Sequence, residues 1–228
     1  MKTITIGDLH GKNCWEQINP DAYDKIIFLG DYVDSYTHEI IQIIVNLNKI
    51  IKFKKANPRK VVLLWGNHDI RYFLGQKYGC SGFRAGAYTQ LSKIYHDHKD
   101  LFNFSYQYKK YLWTHAGIHT GWYKYHFALY DIYHSLEQSL KAEFELRNPS
   151  LFMVGWARGG ENLVGGPLWL DRKYGWDMPL KGFHQIVGHH PVNKIMTNSI
   201  DKDTSITYCD VLDTNPNLFY EKTIIDIT

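Results

Sequence analysis

The chain has 228 residues, 44% hydrophobic, 15% aromatic and 21% charged, enough to bury one generous core and unlike a disordered polypeptide. Its 26 Lys and Arg against 23 Asp and Glu leave a net charge of +3 without a basic tail, so composition alone gives no nucleic-acid signature. Apolar runs such as Ile26–Leu29 and Val61–Trp65 are too short to span a bilayer. The start of the chain, Met1–Ile6, meets Asp8 at once, unlike a signal peptide. The expectation is a soluble, cytoplasmic protein of one domain over residues 1–228, with no membrane partner and oligomeric state open. Three widely spaced cysteines, Cys14, Cys80 and Cys209, form no CxxC pair and read as reduced, mostly buried thiols.

In chain order, β-branched runs end abruptly in polar residues. Thr3–Ile6 leads into Gly7-Asp8-Leu9-His10-Gly11, and Lys25–Leu29 into Gly30-Asp31-Tyr32-Val33-Asp34. A helical apolar spacing follows at Ile40, Ile43, Ile44, Leu47, Ile50 and Ile51, with Pro58 beyond its end. Val61–Trp65 then leads into Gly66-Asn67-His68-Asp69, so the first βαβ unit predicts a parallel strand pair. A second helical pattern carries Tyr88, Leu91, Ile94, Tyr95 and Leu101. Tyr111–Thr114 runs into His115-Ala116-Gly117. A third helix is predicted from Leu129, Ile132, Tyr133, Leu136, Leu140 and Phe144, ending at Asn148-Pro149. Gln185–Gly188 runs into His189-His190-Pro191. Ser205–Cys209 reads as a strand, and Leu218–Lys222 with Thr223–Ile227 as a hairpin. The whole predicts a layered α/β domain with largely parallel sheets, residues 71–111 and 119–184 being helical and loop insertions. In such folds ligands sit beyond the carboxyl ends of the strands, where all five polar clusters fall.

Collected, those strand ends offer Asp8, His10, Asp31, Asp34, Asn67, His68, His115 and His189. Carboxylate, imidazole and one amide without thiolate suit Mn²⁺, Fe or Zn²⁺, and the set is large enough for two metals sharing a carboxylate. Such a pair activates water and clamps a phosphoryl group for in-line attack. One Asp at a strand end is usually a cap and one His usually packing, but five such ends together are costly to bury without a metal. The other histidines, His38, His96, His98, His126, His134 and His184, read as surface or packing residues. His119 stands open between packing and a place at the site mouth. Trp169 and Tyr32 are candidates for lining the cleft.

The blocks Gly7-Asp-x-His-Gly11, Gly30-Asp-x-x-Asp34, Gly66-Asn-His-Asp69, His115-Ala-Gly117 and Gly188-His-x-Pro191, in this order, resemble the signature of calcineurin-like metallophosphoesterases. Asp210–Thr214 looks like a late strand of the same fold. The resemblance implies a four-layer α/β/β/α sandwich with a binuclear site. Asp8 and His10 match ligands of one metal and Asp31 the bridging carboxylate. Asn67, His115 and His189 match ligands of the second metal. His68 matches the proton donor to the leaving oxygen and Asp34 its orienting carboxylate. The two divalent metals are expected to be Mn²⁺, with Fe or Zn²⁺ as alternatives, and a hydroxide bridging them to be the nucleophile.

Pro191 stands where nuclease-like relatives have a second histidine. With Gly-Asp-Leu-His-Gly and Gly-His-His-Pro-Val, this is similar to the phosphoprotein phosphatase branch and its bacterial and bacteriophage members. The expected activity is hydrolysis of phosphate monoesters, on phosphorylated Ser, Thr or Tyr or a small ester. The alternatives are a nucleotide, dinucleoside polyphosphate or nucleic-acid-end phosphohydrolase, or a non-catalytic scaffold. Two positions depart from the branch: Ser35 replaces a phosphate-gripping arginine, and Asp69 replaces glutamate. Arg172, in the Leu168-Trp169 stretch, is the first choice for a replacement cation. Arg71, Arg84 and Arg158 follow, with solvated salt bridges as their competing reading; His190 completes the candidate substrate-binding set.

Overall fold

The computed structural model describes residues 1–75 and 80–225, and the chain divides into two compact units, Met1–Asn103 with Val211–Thr228 and Phe104–Asp210.

The first unit is built on a sheet of strands β1 (Lys2–Ile6), β2 (Lys25–Phe28), β3 (Val61–Leu64), β4 (Phe102–Asn103) and, from the C-terminal stretch, β10 (Tyr220–Thr223). Their order is β10-β1-β2-β3-β4, parallel except for β10 against β1. The register pairs Ile4 with Ile26 and Ile26 with Val61, so the β-branched runs lie side by side in the buried centre. That is the pattern of a sheet covered on both faces. Helix α1 (Ile40–Ala56) has the expected crossover, with Ile43, Ile44, Leu47, Ile50 and Ile51 buried and Ile41 and Val45 exposed. Gln42 accepts from the Glu39 N–H at 2.9 Å at its start, and Asn57 with Pro58 ends it. Helices α2 (Asn67–Leu74) and α3 (Tyr88–His98) follow β3. Trp65 stacks between Phe73 and Phe102, with ring centroids at 4.7 and 4.6 Å, anchoring the end of β3.

The second unit carries β5 (Ser105–Tyr108), β6 (Tyr111–Thr114), β7 (His184–Val187), β8 (Met196–Asp201) and β9 (Thr204–Tyr208), in the order β5-β6-β7-β9-β8. The three inner strands are parallel and the edges antiparallel. Between β6 and β7 lie the short α4 (Thr120–Trp122), then α5 (Leu136–Glu145) and α6 (Arg172–Gly175). The protein is thus mixed α/β, with two mostly parallel sheets flanked by helices.

Several expectations need correction. The third predicted helix begins only at Leu136, because the Ser135 hydroxyl caps it through the Gln138 N–H. Asp131 upstream instead accepts from the Tyr123 and Ser139 hydroxyls, leaving Leu129 and Ile132 exposed. Asp210–Thr214 is not a strand: the chain turns there, with Thr214 and Asn215 N–H groups both donating to the Val211 carbonyl. The predicted C-terminal hairpin is one strand, β10, which continues along β1 until the Ile224 N–H meets the Met1 carbonyl. Residues 226–227 of its second arm lie outside the described residues. Only Cys209 is buried; Cys14 and Cys80 are half-buried. No helix among the described residues is long and apolar enough to cross a membrane.

Candidate active site

In the first unit, the loops after β1, β2 and β3 converge through their backbones. The Leu9 and His10 N–H groups donate to the Asp31 carbonyl at 3.1 and 2.8 Å, and Gly11 donates to the Tyr32 carbonyl. Asp8, at the mouth of β1, is buried. His10, Asp31 and Asp34 have φ of 45°, 53° and 59°, a left-handed conformation that side-chain-bearing residues adopt at a cost. Such strain persists where surrounding structure over-determines it.

Asp69 does much of that holding. Its fully buried carboxylate accepts from the backbone N–H groups of Asp31, Tyr32 and Gly66 at 2.8, 3.1 and 2.9 Å, and from the Tyr95 hydroxyl. Burial raises its pKa to about 6 even so. In exchange, Asp31 Oδ1 accepts from the His68 N–H at 3.0 Å. The β2 and β3 loops are therefore pinned by two carboxylates, Asp69 gripping the backbone of the β2 loop and Asp31 that of the β3 loop at His68. Gly66 is required at this crossing: a Cβ there would lie 2.1 Å from Asp31 Oδ1.

The imidazoles are equally constrained. His10 Nδ1 donates to the Val33 carbonyl at 2.8 Å, which leaves Nε2 with its lone pair and 3.9 Å from Asp31 Oδ2. Burial, then the neighbouring His68, lowers its pKa to about 4, so it is neutral as a metal ligand must be. His68 is the opposite case. Burial works against its charge, but Asp31 and Asp34 outweigh burial and its pKa is raised. Its Nδ1 donates to Asp34 Oδ2 at 3.0 Å, and Asp34 Oδ1 accepts from the Tyr72 hydroxyl. His10, Asp31 and His68 each offer a ligand atom within 4.8 Å of the others. Asn67 opens α2, with its Nδ2 3.5 Å from Cys80 Sγ.

The second unit brings His115 and His189 together, with His115 Nε2 3.1 Å from His189 Nδ1. That is about the spacing of two nitrogens on one small cation. Both rings are buried; the Gly188 N–H donates to the His115 carbonyl, and Trp169 packs edge-on against His189 at 5.9 Å. His189 is also left-handed, with φ of 64°. Buried Gln185 staples the loop, accepting from the Ile118 N–H and donating to its carbonyl. The donors on offer, His10 with its Nδ1 fixed by Val33, the Asp31 carboxylate and the Asn67 amide in the first unit and the paired imidazoles of His115 and His189 in the second, fit hard or borderline divalent metals.

The substrate-binding candidates have local partners. Arg71 lies over the Phe83 ring at 3.5 Å and donates to the Cys80 carbonyl at 3.3 Å, in place of a salt bridge. Arg84 donates to the Ser35 carbonyl at 2.8 Å and is 4.0 Å from Glu39. Ser35 itself caps the turn into α1, accepting from the Thr37 and His38 N–H groups. Arg158 pairs with Asp171 at 3.0 Å. His190 and Arg172 line an open cavity of the second unit. His119 is a cap, accepting from the Gly121 N–H at 2.9 Å. Tyr32 does not line a cleft; it is fully buried and donates to the Leu64 carbonyl. The sequence reading missed Asp69, Tyr72, Tyr95 and Gln185 as supports, because polar residues beside a motif give no sign of burial.

The family model for calcineurin-like phosphoesterases matches residues 1–215. The chain is a calcineurin-like phosphoesterase. Membership makes it a metal-dependent hydrolase of phosphoric esters. This phosphoesterase shares its fold with the cold-active protein-tyrosine phosphatase of a psychrophile, Shewanella sp., at 17% identity and a TM-score of 0.55, covering 92% of this chain and 71% of that one. A metallophosphoesterase from Sphaerobacter thermophilus is also similar, at 14% identity and a TM-score of 0.39, covering 91% and 75%. No curated protein matches the phosphoesterase by sequence.

Proposed function

We propose that the protein hydrolyses phosphate monoesters with two divalent metals, Mn²⁺ in this reading, as a phosphatase of the protein-phosphatase branch. The observation that carries it is the Asp34–His68–Asp31 arrangement: an imidazole whose charged form two carboxylates favour, one of them a candidate metal ligand. When bound, the metals supply an activated water and neutralise phosphoryl charge. Asp8, His10 and Asp31 would hold one, and Asn67, His115 and His189 the other, with Asp31 shared. His10 is prepared for this by its Val33 bond, which aims Nε2 as an acceptor.

His68 acts on the leaving group. As the P–O bond to that group breaks, the departing oxygen takes a proton from His68 Nε2. Asp34 holds Nδ1–H throughout, fixing ring orientation and stabilising the charged form before transfer. Asp34 is itself fixed by the Tyr72 hydroxyl. Pro191 brings no ligand atom, so the metal that Asp8, His10 and Asp31 would hold would have one protein ligand fewer, which supports monoesters over diesters. Ser35, spent as a turn cap, brings no cation either, and this favours hydrolysis of a nucleotide or dinucleoside polyphosphate as the second reading.

A substrate panel with Mn²⁺ tests the assignment: phosphopeptides, diadenosine polyphosphates, cyclic nucleotides and a bis-aryl phosphate. The proposal expects the highest kcat/KM on monoesters. A higher kcat/KM on cyclic nucleotides or diesters would overturn it, and a preference for dinucleoside polyphosphates would establish the second reading.

A further inference from the structure

The second unit contains an open cavity of about 490 Å³ lined by Asp171, Arg172, Lys173, Trp176, Asp177, His190 and Met196. A volume of this size holds a small organic ligand. Its charges are unevenly satisfied. Asp171 is fully used: Oδ1 caps α6 through the Lys173 N–H at 2.9 Å, while Oδ2 meets Arg158 Nε at 3.0 Å and His190 Nε2 at 3.3 Å. Arg158 Nη2 donates to His190 Nδ1 at 3.0 Å, so Nδ1 is the acceptor and Nε2 carries the proton given to Asp171. His190 is therefore a neutral, fixed wall, and Arg158 is locked behind it.

Arg172 and Lys173 remain as the cations facing the cavity, against the single carboxylate of Asp177. Among the described residues, Arg172 Nε is buried without a hydrogen-bond partner, and so is the hydroxyl of Tyr208, a neighbour close enough to feel the Arg172 charge. Buried donors left unmatched are uncommon and costly, and call for a ligand or water. The remaining lining is apolar. Trp176 stacks on Tyr208 at 6.0 Å, its carbonyl takes the Asn198 side-chain amide at 2.7 Å, and Met196 opens β8. The cavity opens beside His190, the residue after the candidate ligand His189.

We propose that this cavity receives the leaving part of the substrate and selects leaving parts that carry a second negative charge beside an aromatic or aliphatic face. This rests on the phosphomonoesterase reading and names its substrate class. Arg172 and Lys173 meet the added anion, and Trp176 and Met196 pack against the apolar face. Arg172 thereby acts on the departing group rather than on the transferred phosphoryl, which differs from the role first expected of it.

The test compares phenyl phosphate with 3-carboxyphenyl phosphate, whose phenols are of similar acidity, on the Mn²⁺-loaded protein. The wild type should prefer the carboxylated ester about tenfold in kcat/KM, as one charge-assisted hydrogen bond provides. Arg172→Ala should bring that ratio close to one. Lys173→Ala, at a more exposed position, should lower it without threatening the fold. An Arg172→Ala loss equal for both esters, or a wild-type ratio near one, would overturn the proposal. Titrating free 3-hydroxybenzoate against the Trp176 indole NMR signal separates this from the parent reading. Arg172-dependent binding in a protein that hydrolyses neither ester would refute the phosphatase assignment while keeping the anion pocket. Binding indifferent to Arg172 and Lys173 would refute the pocket.

Discussion

Asp34 Oδ2 accepts a hydrogen bond from His68 Nδ1 at 3.0 Å, and the pair is closed off by the Tyr72 hydroxyl on the other carboxylate oxygen. A carboxylate in this position fixes both the tautomer and the aim of the ring. His68→Asn should therefore lower turnover by roughly 10²–10⁴-fold on a poor leaving group while leaving metal content unchanged. With nitrophenolate, which departs without help, the loss should be much smaller. Equal losses on both substrates would remove His68 from the role of proton donor. Asp34→Asn should act in the same direction and more weakly.

Asp69 is a prediction about metal binding through the backbone. Asp69→Asn places an amide donor among three backbone N–H groups, so Asp31 loses the contact that holds its left-handed conformation. Calorimetric titration of the metal-free protein with Mn²⁺ should show affinity lower by roughly 10–100-fold, the scale of outer-shell changes. Tyr95→Phe removes only the hydroxyl contact and should give a smaller drop in the same direction. Unchanged affinity in a folded Asp69→Asn protein would show that the clamp does not position the ligand.

Asp31→Asn should be the most damaging of the ligand changes. Its two oxygens are divided between the His68 N–H and the imidazole Nε2 atoms of His10 and His68. An amide cannot bridge two cations as a carboxylate does. Retention of two metals per chain with normal turnover, measured by elemental analysis and kinetics, would contradict the bridging assignment.

The fold and the strand-end positions of the candidate site were legible because both are written locally. Ile26–Leu29 and Val61–Trp65 are apolar on both faces, as buried parallel strands must be, and each ends where a glycine lets a loop of the candidate site turn. Residues whose role depends on distant partners were not legible. Asp69 reads like any acid in a motif until its three backbone donors are assembled in space. The helix predicted from Leu129 failed for the same reason, since only the Asp131 contacts to Tyr123 and Ser139 show that the chain is held in another shape. Strand β8 was missed because its side chains are mostly exposed and carry no apolar run.

His10 gives a pH dependence to the metal-free protein. Its pKa falls from 6.5 to about 4 on folding, so the unfolded chain binds the extra proton first as pH drops. Stability from this group is complete above pH 6.5 and declines toward pH 4, by about 3 kcal/mol in total. His10→Asn lacks the titration. The stability of wild type relative to this variant should thus decrease from pH 7 to pH 4.5 in chemical denaturation without metal. A difference that stays constant or grows toward acid would refute the neutral, half-buried imidazole.

The most direct measurement is metal removal and return on an aryl phosphate monoester. After exhaustive chelation and dialysis, the protein should hydrolyse the ester at the buffer rate. Added Mn²⁺ should restore turnover and saturate at two ions per chain. Full activity in the chelated protein, or restoration complete at one ion per chain, would contradict the two-metal account.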